Sequence, residues 1–292
     1  MPQLIKRRIT LCWGQFTHRL GGVGLASTAI LAVFLLFTLG AEWLAPYPFD
    51  EIHIAARSQP PSWAHPMGTD NLGRDILSRI IYGTRGIITT SFLAAMLGVA
   101  GGSLVGLISG YIGGWFDEIV MRLTDAFLSI PAILLALLLL TTLGGSRLAV
   151  VLGIGIVYTP IVARVVRSAV LSIKGREFVS AARLRGEKMA YILIREILPN
   201  ILSPIVVEAS VRISYAILLT ASFGFLGLGV QEPAPDWGLM VSRGREYIQT
   251  APWMVLFPVA AISLLVVSIS LLADTLRQQM VASSAAEEKD DR

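Results

Sequence analysis

Residues 177–200 read Glu177-Phe178-Val179-Ser180-Ala181-Ala182-Arg183-Leu184-Arg185-Gly186, then Glu187-Lys188-Met189-Ala190-Tyr191-Ile192-Leu193-Ile194-Arg195-Glu196-Ile197-Leu198-Pro199-Asn200. This is the most charged long segment of a greasy chain, and it lies between two hydrophobic spans. The pattern predicts two short helices hinged at Gly186, where a residue without Cβ turns the chain sharply. Ala181 and Ala182 leave a flat surface that another protein can approach. Lys188, Arg195 and Glu196 make one face of the second helix polar, while Met189, Ile192, Leu193 and Ile197 fill much of the rest. Pro199 is expected to stop that helix before the next span. Pattern alone fits an ordinary amphipathic connector as well as a docking surface.

The flanks explain why a charged connector matters. The 292 residues are 54% hydrophobic and 15% charged, against roughly 25% charged in soluble domains. The chain is therefore an all-α integral membrane protein. Its net charge of +4 does not imply nucleic acid, because the basic residues sit between apolar spans. Cys12 is the only cysteine, so no internal disulfide forms. His18, His53 and His65 lie at unrelated spacings and suggest no metal site.

Upstream of the connector, an apolar run at 148–163 is short for a span and is expected to use Arg164 or Arg167 at its flank. Before it, Gly144-Gly145-Ser146 reads as a tight turn. Residues 117–142 form a span that Pro131 kinks, with Arg122 and Asp125 placed to pair on one face. The uncharged run 86–116 carries Gly98, Gly102, Gly106, Gly110 and Gly114, every fourth residue. Such a stripe serves either as an internal packing seam or as a subunit interface. Residues 42–85 form a loop, irregular at Pro46, Pro48, Pro60, Pro61 and Pro66. At its end, Asp70 or Asn71 is expected to cap a short interfacial helix with Ile76, Ile80 and Ile81 on one face. Residues 20–41 make the first span, preceded by a basic segment, 1–19.

Downstream, a fifth span begins near Ile201 and holds Glu208 and Arg212, four apart. Ionisable groups at membrane depth face a bundle interior or a wet cavity. The two form a mutual ion pair or contact cargo. Residues 230–250 read as a polar loop, 252–273 as the sixth span, and 281–292 as a disordered tail. The organisation is thus a segment 1–19, a first helix and loop at 20–85, a core at 86–280 containing the connector at 172–200, and the tail. With the amino terminus in the cytoplasm, six spans place both termini and the connector there. Lys6, Arg7, Arg8, Arg19, Arg122, Arg164, Arg167, Lys174, Arg176, Arg183, Arg185, Lys188, Arg195, Arg277, Lys289 and Arg292 then share that side, against Arg57, Arg74, Arg79, Arg85, Arg147, Arg243 and Arg245 on the other, as the positive-inside rule requires.

The chain shows no engine. A P-loop needs Gly-Lys before Ser or Thr, and none of Lys6, Lys174, Lys188 and Lys289 follows a glycine. It shows no Ser-His-Asp or zinc signature either, so no catalytic residue is assigned.

The run Glu-x-x-x-Ala-Ala-x-x-x-Gly from Glu177 to Gly186, with Leu198-Pro199 beyond, resembles the EAA loop of ABC importer permeases, in the dipeptide, oligopeptide and nickel branch. Residues 68–79, Gly-Thr-Asp-Asn-Leu-Gly-Arg-Asp-Ile-Leu-Ser-Arg, and the string Ser222 to Gly229 resemble the same branch. Ser180 and Glu196 depart from it, standing where Glu and His are frequent. The resemblance implies a six-helix importer bundle with a cytoplasmic coupling loop carried by Glu177, Ala181, Ala182, Arg183, Gly186, Leu198 and Pro199. It also implies a bacterial inner-membrane location, a second related permease, two ATPases holding ATP and Mg, and an extracytoplasmic binding protein. Cargo would be short peptides, or nickel and metal chelates, moved by alternating access. The alternative from another class is a secondary transporter coupled to an ion through Glu208 and Arg212. That class usually carries inverted repeats, and none is visible.

Overall fold

The computed structural model describes residues 21–290. The amino-terminal segment 1–19, with Cys12 and His18, lies outside them. The described residues are helical, joined by turns, with no strand. Five helices are long and apolar enough to cross a membrane: α1 (Gly21–Leu44), α2 (Ile76–Ile112), α5 (Arg147–Ile173), α8 (Leu202–Phe225) and α10 (Trp253–Asp290). A sixth span exists if α3 (Gly114–Leu128) and α4 (Ala132–Leu143) are one crossing, bent by 87°. Pro131 therefore does more than kink a helix. It removes a backbone donor at a three-residue gap and leaves two separate helices.

The glycine stripe is an internal seam. A Cβ at Gly98, Gly102 or Gly106 would lie 2.6 Å from Tyr158 Cβ, 2.5 Å from Val162 Cβ, or 2.5 Å from the Ala163 carbonyl, all on α5. Gly110 meets Val170 in the same row, and only Gly114 faces open space. Removing side chains lets α2 and α5 approach backbone to backbone, which replaces the hydrophobic drive that lipid does not supply.

Several expectations change. The helix expected at 75–81 is not a separate interfacial piece but the first turns of α2. Asp75 caps it, and not Asp70 or Asn71: its carboxylate accepts from Ser78 N at 2.8 Å and Ser78 Oγ at 2.7 Å. Asp70 instead binds the N–H groups of Leu72 and Arg74 and the Arg74 side chain. Arg122 pairs with Glu118 one turn away, and Asp125 with Arg164 of α5, so the Arg122–Asp125 pair does not form. Arg164 and Arg167 meet acids of α3, Asp125 and Asp117, and α5 runs on past them to Ile173. The loop 230–250 holds a helix of its own, α9 (Trp237–Gly244). Helix α10 runs through the tail to Asp290, where disorder was expected; Ala285, Ala286, Glu287, Glu288 and Lys289 are strong helix formers.

Helix α9 (Trp237–Gly244) is capped by Asp236, which accepts from Leu239 N at 2.9 Å. It builds the anchored end of the molecule. Trp237 is buried, packs on Phe34 of α1 and donates to the Ile80 carbonyl at 3.0 Å. Arg74 binds Asp70 at 2.6 Å and Glu232 at 3.3 Å. Buried Arg79 donates to the Phe49 carbonyl at 3.0 Å, and Trp253 to the Thr69 carbonyl at 3.2 Å. These bonds tie the first loop, α2, α9 and the start of α10 into one block.

Candidate functional site

At the opposite end lies the connector. Helix α6 (Glu177–Leu184) has Glu177 in its first turn and Arg183 in its last, both matched to the helix dipole. It ends in a paired-bond cap. Glu187 N donates to the Ala182 carbonyl at 3.2 Å and Gly186 N to the Arg183 carbonyl at 3.0 Å. That cap needs a left-handed residue, and Gly186 has φ +75°. Nothing lies within 4 Å of a Cβ placed there, so glycine is required by the backbone and not by crowding.

The second half is helix α7, residues 189–200. Its middle, Ile192–Ile197, is a π-helix, and Leu198 N reaches back to the Leu193 carbonyl. Pro199, lacking an N–H, sits in the last turn; the break before α8 falls at Ile201, with φ −113° and ψ 10°. Ile192, Leu193 and Ile197 are buried as expected, whereas Met189 is exposed.

The docking candidates separate into two sets. Glu177, Ala181, Arg183, Gly186 and Pro199 are exposed, and Leu198 is half-buried. Ala182 is fully buried with Val179 against Ile192, Leu193 and Ile197. It is not part of a flat outer surface; its small size lets α6 lie on α7. Arg183 stacks on the Tyr111 ring at 4.9 Å, joining α6 to the end of α2. Arg185 binds Glu196 at 3.3 Å, so Glu196 closes the hinge from within. Leu184, 90% exposed at the tip of α6, was not singled out from the sequence. Its spacing from Glu177 and Ala181, opposite buried Val179 and Ala182, was the readable signal.

The membrane pair forms as an i,i+4 bridge. Arg212 Nε donates to Glu208 Oε1 at 2.7 Å, and both side chains are largely buried. The Arg212 guanidinium also lies over the rings of Tyr158, at 5.4 Å, and Tyr215, at 5.7 Å. The pair thus ties α8 to α5. No group of three metal-binding side chains occurs among the described residues.

Two carboxylates at the anchored end are shifted in opposite directions. Burial raises Glu232, but the Arg74 hydrogen bond and the charges of Arg74, Arg79 and Arg243 outweigh it and hold it below the usual range. Burial pushes Asp236 up, against the N–H groups of Leu239 and Gly238 and the charge of Arg147.

A multi-pass helical bundle with a charged, capped loop between its fourth and fifth crossings defines a membrane transport component. Residues 102–282 match the family described as binding-protein-dependent transport system inner membrane component, and residues 22–61 match the N-terminal TM domain of oligopeptide transport permease C. The chain is 41% identical to the dipeptide transport system permease protein DppC of Alkalihalophilus pseudofirmus, covering 90% of this chain and 86% of the relative. It is 37% identical to the di/tripeptide permease DppC of Pseudomonas aeruginosa, covering 92% and 90%. It is also 37% identical to the glutathione permease GsiD of Pectobacterium atrosepticum, covering 96% and 94%. The fold matches the MetNI methionine ABC transporter in inward-facing conformations, with TM-score 0.57 at 20% identity over 70% of this chain and 97% of that one. The chain belongs to the binding-protein-dependent transport system inner membrane component family, as a permease subunit of an ABC transporter. The ion-coupled secondary transporter is not favoured.

Proposed function

We propose that this permease moves short peptides inward across the bacterial cytoplasmic membrane, with ATP and Mg held by two cytoplasmic ATPase subunits. A second related permease completes the path, and an extracytoplasmic binding protein delivers cargo. Peptides are favoured over nickel chelates because the relatives are named for dipeptides, tripeptides and glutathione. The reading assigns ATPase docking to the outer surface of 177–200, chiefly Glu177, Ala181, Leu184, Gly186, Leu198 and Pro199. Ala182 and Arg183 fasten that surface to the bundle. Glu208 and Arg212 act as a structural pair beside the path.

One observation supports the docking role above the rest. Leu184 is almost wholly exposed beside Arg183 and Arg185, on a helix whose other face is locked to α7. An exposed apolar tip on a fixed helix is suited to a partner's groove. The test is topology with assembly. In a Cys12→Ser background, Ser180→Cys should react only with reagents reaching the cytoplasm, and Gln249→Cys only with those outside. The purified chain should carry ATPase subunits. Reversed labelling, or transport without them, would overturn the assignment.

A further inference from the structure

A small cavity lies within the anchored end, away from the connector and from the Glu208–Arg212 pair. Asp70, Arg74, Arg79, Glu232 and Arg243 form its polar wall, and Met240 and Met254 close its apolar side. The first loop, the first turns of α2, the segment before α9, α9 itself and the start of α10 thus all border it. The Arg79 side chain is only 2% exposed. One of its donors reaches the Phe49 carbonyl at 3.0 Å. Its Nε–H is also buried and has no hydrogen-bond partner among the described residues. Asp70 Oδ2 stands 4.0 Å from that nitrogen, too far for a direct bond.

A buried donor without a partner has lost its hydration and gained nothing in return, so an acceptor belongs beside it. Size narrows the choice. The cavity measures about 20 Å³, and one water molecule needs roughly 10–15 Å³. Charge narrows it further. An anion would meet the carboxylates of Asp70 and Glu232, and a cation would meet the guanidiniums of Arg74, Arg79 and Arg243. A neutral molecule that both accepts and donates meets neither penalty. The acceptors it needs are in the wall. Glu232 accepts from Arg74 at Oε1, which leaves Oε2 available. Asp70 Oδ2 accepts from Arg74 Nε and retains a lone pair.

We propose that a single water molecule is bound here as a fixed part of the anchored end. It accepts from Arg79 Nε and donates to Asp70 Oδ2 and to Glu232. The 4.0 Å between Nε and Oδ2 is a gap that one water spans with ordinary hydrogen-bond lengths on both sides. The bridge joins α2 to the first loop and to the segment before α9, beside the direct bond from Arg74 to Glu232. It lets Arg79 remain charged and buried although no carboxylate lies within hydrogen-bond distance of it. The site involves neither cargo nor the connector, so it stands apart from the transport reading above.

The test is a structure of the purified protein, with its co-purifying subunits in lipid nanodiscs, at a resolution that shows ordered waters. One peak is expected at about 2.7–3.2 Å from Arg79 Nε and from an oxygen of Asp70 or Glu232. A cavity without a peak, a peak bonded to Arg79 alone, or a guanidinium turned to bond Asp70 directly would each overturn the bridge. A second measurement separates water from an ion. The melting temperature of the same preparation is compared in sodium chloride and sodium gluconate at equal ionic strength, for the unmodified protein and for Arg243→Gln, which removes an exposed cation from the wall. A bound water predicts the same chloride-minus-gluconate difference in both proteins. Stabilisation by chloride of several degrees that Arg243→Gln abolishes would identify the occupant as an anion and overturn the assignment.

Discussion

The two ends of the bundle are built on opposite plans. At the anchored end, polar side chains are buried and bonded to backbone across long sequence separations: Trp237 to Ile80, Arg79 to Phe49, Trp253 to Thr69. At the loop end, α6 touches the bundle through a few contacts, Val179 and Ala182 on α7 and Arg183 on Tyr111, and its other side faces outward. The first plan resists local opening, because unpairing any buried group leaves it unsatisfied. The second keeps a surface free while fixing its orientation. Stability and coupling should therefore be separable by mutation.

Trp237→Ala should have the largest effect on stability. It removes a buried ring and its bond to the Ile80 carbonyl, which keeps Thr84 Oγ1 as a donor, for about 3–5 kcal/mol. Thermal unfolding of the purified protein reads this, and an unchanged melting temperature would remove the anchored end from the comparison.

The Glu208–Arg212 pair lies between the ends. Removing either partner should cost about 3 kcal/mol, by leaving a charge uncompensated at depth, and removing both should cost less than the sum. Additive losses in a double-mutant cycle, with altered cargo preference, would make the pair a cargo contact.

Gly186→Val sharpens the contrast from the other side. The left-handed backbone costs a residue with Cβ about 1–2 kcal/mol, locally. The melting temperature should barely move while uptake or ATPase association is lost. Normal uptake would show that the capped turn is dispensable.

The smallest effect concerns acid. Glu232 is held below its ordinary value of 4.5, so its contribution is complete above that pH and fades as pH falls through the lowered value. Asp236, shifted upward, contributes with the opposite sign, but Glu232→Gln leaves that group unchanged. The variant should lose part of the destabilisation below about pH 4.5. Identical acid profiles for the two proteins would count against the Arg74–Glu232 bond.

How much of this was legible depended on whether the cause was local. The glycines of α2 announce close packing by spacing alone, and Gly186 announces its turn by lacking a side chain. The spans follow from composition. What stayed hidden depended on distant partners. Asp70 and Asp75 are equally good caps in the text, and only the fold gives the role to Asp75. Arg122 had acids on both sides, and α5 claimed Asp125 through Arg164. Ala181 and Ala182 are chemically identical neighbours, yet α7 buries one and leaves the other outside. The order in 237–244 was obscured because Trp237 is held by residues from α1 and α2, far away in sequence.

Helix α2 joins these contrasting ends. At about 1.5 Å per residue, its 37 residues measure about 55 Å, against roughly 30 Å of hydrocarbon. It contains no proline, and α5 splints its glycine-rich half. One tip is clamped by Asp75, Arg79 and the Trp237 bond, and the other carries Tyr111 under Arg183. Mechanically this is a strut pinned at one end and loaded at the other. If a partner docks on α6 as proposed, a push there would act on the tip of α2 through Arg183 and Tyr111, and the clamp at the far end would fix the point about which α2 can turn.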